Sequence, residues 1–181
     1  MTVRVVAVDT DISLEHLAEA EAQATKVYEA VGVDLHWVHE GQEAEPLAPG
    51  TYPVSVVLLS GRKARHVIAL EHIEDGVFGY AAGGSRRAYI FCDRIITTAG
   101  RHMTNYVDVL GYVIAHELGH LVLPPNSHSS TGIMRADMEL LTHRLAYFTA
   151  TQGGIIRGFL SAASQSDASK IASIGAAETM R

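Results

Sequence analysis

The chain has 181 residues, 48% of them hydrophobic, with a formal net charge of -6 and a pI near 5.9. That length accommodates one well-buried domain and is short for two. The acidic balance offers nucleic acid and anionic membranes no attraction, and no apolar run nears the ~20 residues that cross a bilayer, so neither is expected as a partner.

Val3 to Val8, with Arg4 interrupting, reads as a strand at the very start, which leaves no room for a charged and then apolar export signal. The chain as written is expected to be cytoplasmic, or secreted if a leader has been removed. Asp11 or Ser13 then caps a helix whose apolar positions, among them Leu14, Leu17, Ala24, Val27 and Val31, recur at helical spacing until Gly32. Val33, Leu35 and Trp37 suggest a second strand running toward Glu40. Gly41 to Pro53, with Pro46, Pro49 and Gly50, reads as a loop within the domain. Val54 to Leu59 is a continuous apolar run, suited to a central strand covered on both faces.

Arg62 to Gly76 is polar and irregular. Val77 to Ala82 and Ala88 to Ile96 read as two strands joined through Gly83, Gly84 and Ser85. Cys92, the single cysteine, falls in the second of these as a buried small hydrophobe; alone, it excludes an intrachain disulfide and a cysteine-based zinc site. A long helix begins near Thr104 or Asn105 and must stop by Pro124 and Pro125. Met138, Leu141, Leu145 and Phe148 mark another helix closing near Gly153 and Gly154, followed by a short helix around Ile155 to Leu160 and a frayed tail.

The chemistry is concentrated in His116-Glu117-Leu118-Gly119-His120. On a helix the two histidines lie one turn apart on the same face, able to grip one metal ion, with Glu117 beside it. Leu110, Val113, Ile114, Ala115, Leu118, Leu121 and Val122 make this segment apolar almost all round, as for a helix in the middle of a domain, and polar imidazoles there need a reason. Gly111 and Gly119 each cost about 1 kcal/mol against alanine, so close packing against the helix is expected. Further on come Ser127, His128 and Ser129, and then Gly132, Ile133 and Met134.

The order strand, helix, four strands, metal helix, methionine turn and final helix resembles the metzincin clan of zinc metallopeptidases. Within it the chain looks closest to archaemetzincin-like compact bacterial forms, where a segment similar to Phe78-Gly79-Tyr80-Ala81 precedes the last strand and the metal helix. The resemblance implies an α+β fold: a mixed twisted sheet of about five strands with an antiparallel edge strand, a backing helix, the active-site helix, the methionine turn and a C-terminal helix. A single catalytic domain would span residues 1–150, with a C-terminal helix or tail over 151–181.

The clan's HExxHxxGxxH pattern is stretched here. Leu123 stands at the glycine position, Asn126 at that of the third histidine, and His128 comes two residues later, after Pro124 and Pro125. A lengthened loop can still return a histidine to the same place, because short loops of different length close a gap at little extra free energy. His128 is the favoured third ligand because Ser130-Thr131-Gly132-Ile133-Met134 follows it at a distance suited to a methionine turn beneath the metal, with Glu139 as a rival resembling the glutamate of gluzincin peptidases, and with His102 and His143 as weaker candidates.

As implied by the resemblance, His116, His120 and His128 would bind one catalytic Zn2+ and leave it an open position, with Met134 in the methionine turn and Glu117 as general base. Arg135 and Ala136 follow Met134, so the tyrosine that some metzincins place there is missing unless Tyr147 reaches in. The edge strand carrying Phe78, Gly79, Tyr80, Ala81 and Ala82 would bind an extended peptide or protein substrate through main-chain hydrogen bonds. The expected activity is zinc-dependent hydrolysis of peptide bonds, most simply by an endopeptidase. The alternatives are a catalytically silent zinc-binding scaffold and a small-amide metallohydrolase.

Overall fold

The computed structural model describes residues 1–39, 51–137 and 146–178. Glu40, most of the loop from Gly41 with its Pro46, Pro49 and Gly50, and Met138, Glu139, Leu141, His143 and Leu145 lie outside the described residues.

Five strands form one sheet: β1 (Thr2–Val8), β2 (His36–His39), β3 (Pro53–Leu59), β4 (Gly79–Ala82) and β5 (Arg87–Phe91). Their order is β2-β1-β3-β5-β4, parallel except for β4, which runs antiparallel to β5 at the sheet edge. The expected mixed sheet with an antiparallel edge strand is thus present. Parallel strands need both faces covered, and the central β3 shows how. Its Val54, Val56 and Leu58 enter the main core, while Val57 and Leu59 join a second cluster with Ala64 and Phe91 on the opposite face.

Two helices dominate the main-core side. In α1 (Leu14–Glu29) the Ser13 hydroxyl accepts the His16 N–H at 3.2 Å, and Leu17, Ala20, Ala24, Val27 and Tyr28 are buried. In α4 (Tyr106–Val122) the Asn105 side chain accepts from Val107 N, and Leu110, Val113, Ile114, Ala115 and Leu118 are almost wholly buried. Each such leucine or isoleucine contributes up to about 1.5–3 kcal/mol, which fixes α4 as the axis on which the site is built. The helices approach closely at Gly111, where a Cβ would lie 2.8 Å from Gln23 Oε1 and 2.9 Å from the Ala20 carbonyl.

Four sequence expectations are corrected. Residues read as irregular form α2 (Gly61–Leu70), which buries Ala64 and packs the half-buried Val67 and Ile68 on the second cluster. The strand expected to reach Ile96 stops at Phe91, and Cys92 opens α3 (Cys92–His102); Cys92, Ile95 and Ala99, at helical spacing, are its buried face. The flanking strands are shorter than read, β2 starting at His36 rather than Val33 and β4 at Gly79 rather than Val77. Finally, no helix closes at Gly153 and Gly154: α5 (Ala150–Glu178) runs through both. Gly153 serves helix packing, since a Cβ there would lie 2.7 Å from Val31 Cγ1. Ile156 anchors α5 in the main core. Among the described residues no helix is long and apolar enough to cross a membrane.

Candidate metal centre

His116 and His120 occupy one face of α4, and the chain returns His128 to them. Pro124 and Pro125 end the helix, Asn126 adopts φ 61°, and Ser129 N–H donates to the Met134 carbonyl at 2.9 Å. His120 Nε2 is then 3.0 Å from His116 Nε2 and 3.1 Å from His128 Nε2. These three residues form the only group of three or more His, Cys, Asp or Glu side chains among the described residues with ligand atoms within 4.8 Å of one another. His102, in the last turn of α3, is not part of it.

The donor set fits a metal ion. His116 Nδ1 lies 2.8 Å from the Ile133 carbonyl, to which it can only donate, so its Nε2 carries the lone pair. A proton on His120 Nε2 could satisfy one neighbouring ring but not both. The nitrogen spacings are also near the ~3.3 Å expected between two imidazoles on one tetrahedral zinc. Electrostatics favours the neutral, ligating form of the two rings on α4. Burial lowers the His116 pKa, with His128 adding to it and the Ile133 carbonyl opposing. Burial, followed by His116 and His128, takes His120 down to about 4.

Glu117, between the two helical histidines in sequence, is 7% exposed, and burial raises its pKa to about 8. Its side chain rests on the edge strand: a Cβ on Gly79 would lie 2.5 Å from Glu117 Cγ and 2.8 Å from Oε1. A nearby divalent cation would pull this carboxyl back toward its ionised form.

Below the histidines the chain makes a tight turn, with Arg135 N–H donating to the Gly132 carbonyl at 3.4 Å. Gly132 has φ 78°, and a side chain there would collide with the Tyr147 carbonyl, the acceptor for Ile133 N–H at 2.9 Å. Met134 is fully buried with its sulfur on Gly119, where a Cβ would lie 2.6 Å from Sδ. The close approach expected at Gly111 and Gly119 is therefore found at both.

A cleft of about 820 Å³ opens over the three histidines and Glu117, with Phe78, Gly79, Tyr80 and Ala81 along one wall. Ala82 belongs to the same strand but not to this wall, and its carbonyl accepts from Ser85 Oγ at 3.2 Å. Tyr147 does not line the cleft; Tyr112 does, its ring stacked on His116 with centroids 6.4 Å apart. Its position four residues before His116 on the same helix face was the signal for it. The sequence reading also missed Gln152, a buried side chain that donates to the Ser127 carbonyl and to Ser129 Oγ on either side of His128.

No protein-family model matches this chain, and no curated protein matches it. Among solved structures it is similar to the archaemetzincin of Methanopyrus kandleri, at 18% sequence identity and a TM-score of 0.53, over 88% of this chain and 95% of that one. At that identity the likeness is one of fold: the sheet and helices described above are arranged as in that protein.

Proposed function

We propose that this chain is a zinc-dependent peptidase, a compact bacterial form related to the archaemetzincins, that cleaves peptide bonds within extended substrates. The observation that carries this reading is the convergence of three imidazole nitrogens beside a buried glutamate, in a cleft walled by a sheet edge. A structural zinc site has no use for such a glutamate. Three protein ligands also leave a position open, as in catalytic rather than structural sites.

His116, His120 and His128 would hold the ion, which supplies Lewis-acid chemistry and makes water acidic enough to lose a proton near neutral pH. Glu117 is the general base: its carboxylate takes a proton from the attacking water and passes it to the leaving amine. The Ile133 carbonyl fixes the His116 ring through Nδ1, the kind of outer hydrogen bond that orients ligating histidines. Strand β4, paired with β5 on one side only among the described residues, offers main-chain groups to an extended peptide. Gly132 to Arg135 serves as the methionine turn, with Met134 packed on α4. Peptides or proteins are the partners; nucleic acids and membranes are not.

The test is to purify wild type and Glu117→Gln, quantify bound zinc, and incubate both with a mixed peptide library read by mass spectrometry. Zinc in both proteins and cleavage by wild type alone supports the proposal. Zinc in both with cleavage by neither would favour a silent zinc-binding scaffold.

A further inference from the structure

We infer that Gln152 is a positioning residue for the metal site, clamping the loop on both sides of His128 and thereby setting how tightly the three histidines hold zinc. This rests on the reading of His116, His120 and His128 as zinc ligands.

His128 is the member of the cluster that no regular element carries. It is exposed and stands in the irregular stretch between α4 and the Gly132 turn. Such a loop loses conformational entropy when it is fixed, and any looseness would appear directly as weaker ligation. Gln152, in the first turn of α5 and only 7% exposed, supplies the restraint. Its Nε2 donates to the Ser127 carbonyl and to Ser129 Oγ, both at 3.2 Å, gripping the residues that flank His128.

The amide is itself held. Gln152 Oε1 accepts from Thr149 N–H at 3.0 Å, while Gln152 N–H donates to Thr149 Oγ1 at 3.2 Å. This is the reciprocal pattern of a helix capping box, here Thr149-Ala150-Thr151-Gln152. The Thr149 N–H, a main-chain group that any residue at 149 supplies, fixes the side-chain rotamer through Oε1, and both Nε2 hydrogens then point at the loop. A primary amide is the group that offers one acceptor and two donors together. The start of α5 is thus joined to the ligand loop, a tie suited to a loop lengthened by two residues.

A cap and a clamp make different predictions, because the Thr149 hydroxyl takes part only in the cap and bonds the Gln152 main chain rather than its amide. In the full-length chain, zinc affinity would be measured by competition with a chromogenic chelator for wild type, Gln152→Met and Thr149→Ala. The visible absorption of bound cobalt(II) would report ligand geometry, and thermal unfolding of the metal-free proteins would report the helix. Gln152→Met should weaken zinc binding about tenfold, at the lower end of the effect of outer hydrogen bonds on metal sites, and change the cobalt spectrum. Thr149→Ala should lower thermal stability yet keep the wild-type zinc affinity and spectrum. Wild-type zinc affinity in Gln152→Met, or equal losses in both variants, would overturn the clamp and leave Gln152 as a cap. Failure of the wild type itself to bind zinc would overturn the metal-site reading, and the clamp with it.

Discussion

Gly79 and Glu117 are packed so closely that a single added carbon at residue 79 would lie 2.5 Å from Glu117 Cγ. The sheet edge therefore sets the position of the proposed base. Gly79→Ala would force the carboxylate aside while leaving His116, His120 and His128 in place. A displacement of about 1 Å can cost on the order of 10²-fold in rate. The expected result is kcat/KM down by about that factor with zinc content unchanged, checked by peptide kinetics alongside metal analysis. Full activity in this variant would show that Glu117 is not positioned by the strand.

Met134 fills the space behind α4 with no exposure. Met134→Ala should lower unfolding free energy by about 2–5 kcal/mol, as for other large-to-small core changes, whereas Met134→Leu, close in volume, should cost less than about 1.5 kcal/mol. Urea unfolding of the two variants distinguishes packing from a specific need for sulfur. If the leucine variant matched wild type in stability but lost zinc, the sulfur rather than the volume would matter.

Glu21 gives a pH dependence remote from the histidine cluster. Its side chain is buried on α1, with Oε2 3.4 Å from His39 Nε2 and Oε1 without a hydrogen-bond partner among the described residues. Burial raises its pKa above the usual 4.5, and His39 pulls it partly back. The folded chain therefore keeps this proton to higher pH than the unfolded chain does. Its contribution to stability is fully present below the unfolded pKa and is lost as pH rises through the folded one. Glu21→Gln should remove that loss, so its stability advantage over wild type should be larger at pH 7 than at pH 4. Denaturant midpoints at the two pH values check this; an advantage that shrank toward neutral pH would mean that the His39 pair outweighs burial.

The parts of the fold legible in sequence were those with one dominant pattern. Val3 to Val8, Val54 to Leu59 and the helix capped by Asn105 each carry a clear apolar period or punctuation. His116 and His120 were legible because one helical turn separates them. Short apolar runs do not by themselves distinguish strand from helix, so Ala88 to Ile96 reads as one strand although its chain turns helical at Cys92. Helix α2 was hidden because Arg62, Lys63, Arg65 and His66 give it a polar face wider than its apolar one. Gly153 and Gly154 read as a helix end, yet Gly153 marks where α5 meets Val31, and in the structure the reciprocal hydrogen bonds of Thr149 and Gln152 cap the start of α5. Where His128 lies depends on a loop closed by tertiary hydrogen bonds, which no local pattern encodes.

The most direct measurement is a chelation and reconstitution titration. Metal would be stripped from the wild-type chain, zinc restored in measured equivalents, and cleavage of a peptide identified from the library followed at each step. The account predicts no cleavage without metal, and activity that rises linearly and breaks at one zinc per chain. Cleavage that survives metal removal, or zinc binding with no hydrolysis of any library peptide, would contradict it.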